Sequence, residues 1–210
     1  LSMVHSNGAQ LWNRIIPTNF NTVPTGIVES DDGFLILAVC GSDQGDWACI
    51  IKTDKSGKNH SLIRLNALGE FTPADMVKTS DDRIYFIGTN RETRPVVVEI
   101  NSKGKVLRKK ELKNYSYGAC LKEHPKGLVA ASVETFEANH VSILDEELNL
   151  IATHSIEDDD CMYAPAVASD EDGNVFLLSR SKKDFFQLTL FDPSFKVVWT
   201  KKEKNDILFK

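Results

Sequence analysis

An eight-residue phrase recurs five times along this chain: His5-Ser-Asn-Gly-Ala-Gln-Leu-Trp12, then variants that open at Asp54, Asn101, Asp145 and Asp192. The openings lie 49, 47, 44 and 47 residues apart. Repetition at such an interval marks an array, and about 40 to 50 residues suits one four-stranded propeller blade. A repeat of this size cannot bury its apolar faces alone, so each unit must stack on the next.

The local pattern around the phrase supplies the strands. Runs rich in β-branched and aromatic residues precede it at 1–4, 47–53, 95–100, 140–144 and 185–191, and others follow it at 10–16, 61–65, 106–112, 150–156 and 197–201. Such runs favour strands, and the phrase between them reads as a hairpin turn in which Asp or Asn bonds to nearby backbone and Gly supplies positive φ. Leu148 and Phe195 replace that Gly in the last two copies, which predicts a different turn geometry there. A second turn signature, Ser30-Asp31-Asp32-Gly33 and its counterparts at Ser80, His124 and Ser169, precedes strongly apolar runs at 34–40, 84–88, 128–133 and 175–179. Ser169 to Phe176 is similar in outline to the Asp-box of sialidase propellers, but Glu171 stands where the Asp belongs, and the segment reads as turn chemistry.

Four strands per repeat and few helical patterns predict an all-β fold, a β-propeller of four-stranded blades with about four complete blades plus a partial one. An open β-solenoid is the runner-up, disfavoured because its repeats are shorter. The ring is five-bladed if closed, yet the count is one strand short: residues 1–16 give two and 203–210 at most one. Residues 1–210 read as a single propeller domain, or as part of a longer one that a partner chain completes. Leu1 is not a usual start, and the strand it opens implies upstream sequence, either a signal peptide or more propeller.

Composition narrows the function classes. The formal net charge of −5, with both signs mixed along the chain, lacks the one-sided basic surface that nucleic acid requires and a basic membrane patch. No apolar run approaches the roughly 18 to 20 residues that cross a bilayer, so no membrane insertion is expected. Cys40, Cys49, Cys120 and Cys161 contain no CxxC and have no clustered histidines, which excludes a zinc pattern. Buried free thiols are the plain expectation, with Cys40 and Cys49 the pair to test. A hairpin turning at 43–45 would set them on adjacent strands, and a bridge there would imply an oxidising compartment.

The phrase Asp-x-x-Gly-x-x-x-Trp after a β-run, paired with a Ser-Asp-Asp-Gly turn, resembles the repeats of bacterial β-propellers, including quinoprotein-like (PQQ-like) blades. His5 to Trp12 and Asp192 to Trp199 match best; Ser61, Arg108 and Ala152 depart from the pattern at the last position. The resemblance implies that Trp12 and Trp199 dock each blade on its neighbour, and it implies a fold rather than an activity, since propellers host many chemistries. A quinoprotein enzyme would need calcium-binding carboxylates and often a vicinal disulfide; no adjacent cysteines exist here, so no cofactor is expected.

Loops that join one blade to the next share a face with those joining strands two and three, and they cluster around the channel where propeller ligands bind. The first set is 18–25, 66–75, 113–118 and 157–164; the second is 41–46, 90–94, 135–139 and 180–184. Phe20, Phe71, Tyr115, Tyr117 and Tyr163 fall in the first set, where they could stack on a sugar or anchor a peptide, or else plug the channel. Asp75, Asp160, Arg91, Arg94 and Arg180 are the charged candidates for the channel mouth. Glu157 to Asp160 is the densest acidic run, without the spacing of a calcium loop, and the five histidines form neither a metal nor a triad spacing. The leading expectation is a non-catalytic module that recognises a protein, peptide or glycan on its loop face, in an extracytoplasmic setting. The alternative is a polysaccharide-acting hydrolase or lyase at the channel mouth, a mechanism decided by carboxylate separation.

Overall fold

The computed structural model describes residues 1–18, 20–42, 45–112, 117–134, 138–157, 165–180 and 185–204. It is all-β: a two-stranded hairpin, β1 (Ser2–Val4) and β2 (Gln10–Asn13), followed by four antiparallel meanders of four strands. Blade one is β3 (Asn21–Ser30), β4 (Gly33–Ser42), β5 (Gly45–Asp54) and β6 (His60–Arg64). Blade two is β7 (Phe71–Lys78), β8 (Ile84–Asn90), β9 (Pro95–Ile100) and β10 (Val106–Glu111). Blade three is β11 (Tyr117–His124), β12 (Gly127–Glu134), β13 (Ala138–Leu144) and β14 (Leu150–Glu157). Blade four is β15 (Ala166–Ser169), β16 (Val175–Arg180), β17 (Phe185–Phe191) and β18 (Val197–Lys204). The inner strands β3, β7, β11 and β15 contact one another in that order, the arrangement of propeller blades around an axis.

There is no single core; apolar layers lie between blades. Leu35, Leu37 and Ile50 of blade one interdigitate with Phe71, Phe86, Val96 and Val98 of blade two. The alternate residues Tyr85, Ile87 and Val97 pack instead against Leu121, Leu128 and Leu144 of blade three, whose Val129, Ala131 and Val141 meet Val167, Leu177 and Phe191 of blade four. Period-two alternation with both faces covered explains why β8, β9, β12 and β13 read as near-continuous apolar runs.

The beginnings of the inner strands are the part that the sequence pattern concealed. The segments expected as loops at 18–25, 66–75 and 113–118 run into β3, β7 and β11, and Phe71 begins a strand. Each of these strands carries a register shift at the same place, Pro24/Gly26, Pro73/Asp75 and Gly118/Cys120. A bulge breaks alternation, and proline is tolerated because the inner strand is an edge with one free side. Gly26 is required by close approach: a Cβ there would lie 2.7 Å from that of Met76 on the next blade.

The expectation of a different turn at Leu148 and Phe195 is overturned. Gly57, Gly104, Leu148 and Phe195 all sit at φ between 62° and 75°, and each donates its backbone N–H to the carbonyl that opens its own phrase, at 2.8 to 3.0 Å. Leu148 is 2% exposed and packs with Leu121, Leu128 and Leu144; Phe195 stacks on Phe191, ring centroids 5.1 Å apart. Burial worth about 2 kcal/mol or more outweighs the roughly 1 kcal/mol cost of a left-handed non-glycine residue. Leu148→Gly should therefore lower stability by about 1 to 3 kcal/mol, seen as an earlier urea midpoint; a later midpoint would mean that backbone strain dominates.

Cys40 and Cys49 form a disulfide across β4 and β5, with Cα atoms 6.3 Å apart, in place of the free thiols expected. They sit diagonally, because Cys40 pairs with Trp47 and Ala38 with Cys49. With a sequence separation of 9, closing this loop should contribute about 2 to 3 kcal/mol. Reductant should lower the thermal midpoint of the native chain and leave a Cys40→Ala/Cys49→Ala double variant unmoved; equal sensitivity in both would contradict the bridge.

Candidate functional site

The loops expected to share one face do so between blades one and two. The hairpin turn after β8 opens with Asn90, whose side-chain oxygen accepts from the N–H groups of Glu92 and Arg94 at 3.1 and 2.9 Å. That turn places Thr93 at φ 57° and projects Arg91 and Arg94 from the rim. Arg94 donates to Glu111 at 2.8 Å, the Asn90 amide donates to the same carboxylate at 3.1 Å, and Arg91 lies 3.6 Å from Glu70. Glu70 in turn borders the Gly45 end of β5. Beneath these charges lies a cleft of about 260 Å³ lined by Leu68, Phe71, Asn90, Val96, Lys109 and Glu111. Apolar floor and charged wall together suit one polar or amphipathic group, a side chain or a single sugar ring, and the volume is below the range of drug-sized pockets.

The remaining candidates scatter. Phe71 is 1% exposed and edge-on to Phe86 at 5.8 Å, so it belongs to the core and reaches the cleft only as its floor. Phe20 is 41% exposed and meets the buried Trp47 edge-on at 5.3 Å, with the Arg64 guanidinium 4.0 Å over the same indole. Tyr117 begins β11 and is exposed, and Arg180 ends β16 on blade four, half-buried. Tyr115, Asp160 and Tyr163 lie outside the described residues. Glu70, Lys109 and Glu111 escaped the sequence reading; hairpin register could have found Glu111, which pairs with Val96 just past Arg94.

Asp75 faces the next blade. Its Oδ2 accepts from the Leu121 N–H at 3.0 Å, the Lys122 ammonium at 2.9 Å and the Cys120 thiol at 3.2 Å. Three donors from β11 on one carboxylate oxygen make Asp75 an inter-blade clasp at the channel wall. Burial pushes the Cys120 thiol up from its ordinary value, with the Asp75 charge adding to it, so the thiol stays protonated at neutral pH and is a poor nucleophile. Among the described residues no group of three or more His, Cys, Asp or Glu is placed to hold a metal.

His140 lies between the Ser155 hydroxyl at 2.9 Å and Glu134 at 3.1 Å. Burial holds His140 below the usual imidazole range against the pull of Glu134, and burial lowers His124 as well, against the Gly173 carbonyl. Both are neutral in the fold at pH 7, so their contribution is full above about pH 6.5, the unfolded value, and is lost as pH falls through the depressed folded values. The urea midpoint should drop between pH 7 and pH 5, and His124→Gln should shrink that drop; a flat midpoint across this range would refute it.

Comparison with solved structures places the architecture. The chain aligns over 96% of its length with the Dos1 propeller, at 15% identity and a TM-score of 0.62, covering 53% of that chain. The β-propeller domain of the Trilobed protease from Pyrococcus furiosus, described as having an open velcro topology, aligns over 93% of this chain and 59% of its own at 11% identity, TM-score 0.54. BBS1N, solved in complex with ARL6DN, aligns over 94% and 60% at 12% identity, TM-score 0.56. The chain thus has the β-propeller fold and spans little more than half the length of these three. Scans against protein families and curated protein sequences find no match.

Proposed function

We propose that the chain is a non-catalytic propeller module, with blades of the quinoprotein-like type, that recognises a protein, peptide or glycan on its loop face outside the cytoplasm. The observation that carries this reading is the cleft whose apolar floor of Leu68, Phe71 and Val96 is walled by Asn90, Lys109 and Glu111, with Arg94 paired to Glu111 and the Arg91–Glu70 pair on the neighbouring loops. Mixed charge over an apolar base orients a polar group without a reactive one beside it. The buried Cys40–Cys49 bridge supports an oxidising compartment. BBS1N, a propeller neighbour solved with a protein partner, supports binding as a use of the fold.

The alternative, a hydrolase or lyase acting on polysaccharide at the channel mouth, rests on Asp160, outside the described residues, and on Asp75. The Asp75 carboxylate is engaged by its clasp to β11, which favours the binding reading. Peptide and glycan arrays probed with the full chain should yield a ligand whose affinity falls about tenfold or more in an Arg91→Ala/Arg94→Ala variant that melts like the parent. Undiminished binding by that variant would move the site elsewhere, and turnover of a glycan panel would favour the enzyme.

A further inference from the structure

The face opposite the loop face, where the turns after the first and third strands of each blade meet, carries a second cleft. It lies between blades one and two, holds about 330 Å³ and is walled by Ser30 and Asp31 of blade one and by Lys78, Arg83, Asn101 and Ser102 of blade two. Both blades have all four strands. The volume stands at the lower end of the range for small-molecule sites, and Leu107, 52% exposed, adds an open apolar patch to the wall.

At the next two seams the residue that opens the first turn is bonded to the following blade. Ser80, which matches Ser30 in the Ser-Asp-Asp signature, donates its hydroxyl and its N–H to the Glu123 carboxylate of blade three at 2.6 and 2.8 Å. His124, at the same place in blade three, bonds the Gly173 carbonyl of blade four at 3.3 Å. Ser30 is 6% exposed, and its hydroxyl has no hydrogen-bond partner among the described residues. The charges beside it are matched, Lys78 to Asp82 at 2.7 Å and Arg83 to Glu99 at 3.1 Å. Asp31 accepts no hydrogen bond and closes no ion pair among the described residues. Asn101 gives its oxygen to the Lys103 and Lys105 N–H groups, both at 3.0 Å, and its amide N–H groups stay undonated. The open set is thus a carboxylate that accepts, an amide that donates, and the Ser30 and Ser102 hydroxyls that do either.

A cation would answer Asp31 but face the Asn101 amide N–H groups and the Lys78 ammonium, and an anion would meet Asp31. Neighbouring hydroxyls on one ring, each donor and acceptor at once, match the whole set, and the C–H face of such a ring covers Leu107. We propose that this cleft is a second binding site, for one neutral sugar unit. Asp31 accepts from ring hydroxyls and the Asn101 amide donates to one of them. The Ser30 hydroxyl, which has no bond to give up, turns to the ligand by one staggered χ1 step. The site is independent of the loop-face ligand.

Titration calorimetry of the full chain with a panel of free hexoses and their methyl glycosides should find a ligand of millimolar affinity. Asp31→Asn should weaken that binding about tenfold. Ser30→Ala should weaken it severalfold while melting at or above the temperature of the parent, because a buried hydroxyl without a partner costs stability that its removal returns. No binding by any member of the panel would overturn the proposal, as would binding that both variants leave intact. An earlier melt of Ser30→Ala would overturn it too, since the hydroxyl would then be held within the fold. Tighter binding of free arginine than of any hexose would assign the cleft to a cation instead.

Discussion

The left-handed residue in each hairpin turn is the constraint on which the rest of the molecule depends. It lets the third strand reverse into the fourth while the Asp or Asn that opens the phrase holds the turn through its side chain. Asp54 accepts from the N–H groups of Ser56 and Lys58, Asn101 from Lys103 and Lys105, Asp145 from Glu147 and Asn149, and Asp192 from Ser194 and Lys196. These bonds, led by the Ser56 hydroxyl at Asp54 and the Asn149 amide at Asp145, hold both carboxyl groups below the usual range. Asn101 does the same work with an amide, so acceptor geometry matters more than charge. The turn then presents either bare backbone, at Gly57 and Gly104, or a buried side chain, at Leu148 and Phe195. What the preceding blade must supply follows from that choice: Trp12 and Ile63 for the bare turns, and polar or aromatic partners for the filled ones.

Between blades two and three, the docking is ionic. Glu99 is 5% exposed and lies 3.1 Å from the Arg83 guanidinium and 2.5 Å from that of Arg108. Arg83 also donates to the Glu146 carbonyl at 2.6 Å. A buried carboxylate between two arginines is costly to desolvate and is tolerated because its hydrogen bonds are complete. Glu99 and both arginines belong to blade two, so the carboxylate adds little net stability over apolar packing but holds the two guanidiniums where they reach across the seam to the Glu146 carbonyl and Glu147 of blade three. Near the axis it is Asp75 that selects the next blade, through the β11 N–H and lysine.

The hairpins were legible because their chemistry is local: an Asp or Asn, a left-handed position and flanking alternation lie within a dozen residues. The beginnings of the inner strands were not, because Pro24, Pro73 and Gly118 at their bulges look like loop residues, and they are tolerated because each inner strand is the edge of its own sheet. Phe71 looked exposed for the same reason. Leu148 and Phe195 misled in the opposite way, since nothing near them in sequence reveals that the next blade buries them. The rim arginines were found from loop position alone. Their carboxylate partners come from other strands, so the cleft became visible only once register brought Glu111 beside Arg94 and Glu70 beside Arg91.

The two ends of the array are not equivalent, and the disulfide marks the difference. On blade one, Ile36, Ala38, Cys40, Trp47, Cys49 and Ile51 form the face turned toward the hairpin, with Leu1 and Ile16 packed against it. A full blade would cover such a face with four strands; here two do so, leaving a cavity of about 390 Å³ among Leu1, Ile16, Pro24, Ile36 and Ile51. Restricting the unfolded chain by a cross-link offsets the packing this thin cover lacks. Blade four has no such bond across its open face among the described residues, and Leu178 and Trp199 stay partly in water. The apolar groups of this face already stand in ordered strands, so any layer that covers them gains their burial with no further loss of backbone entropy on this side.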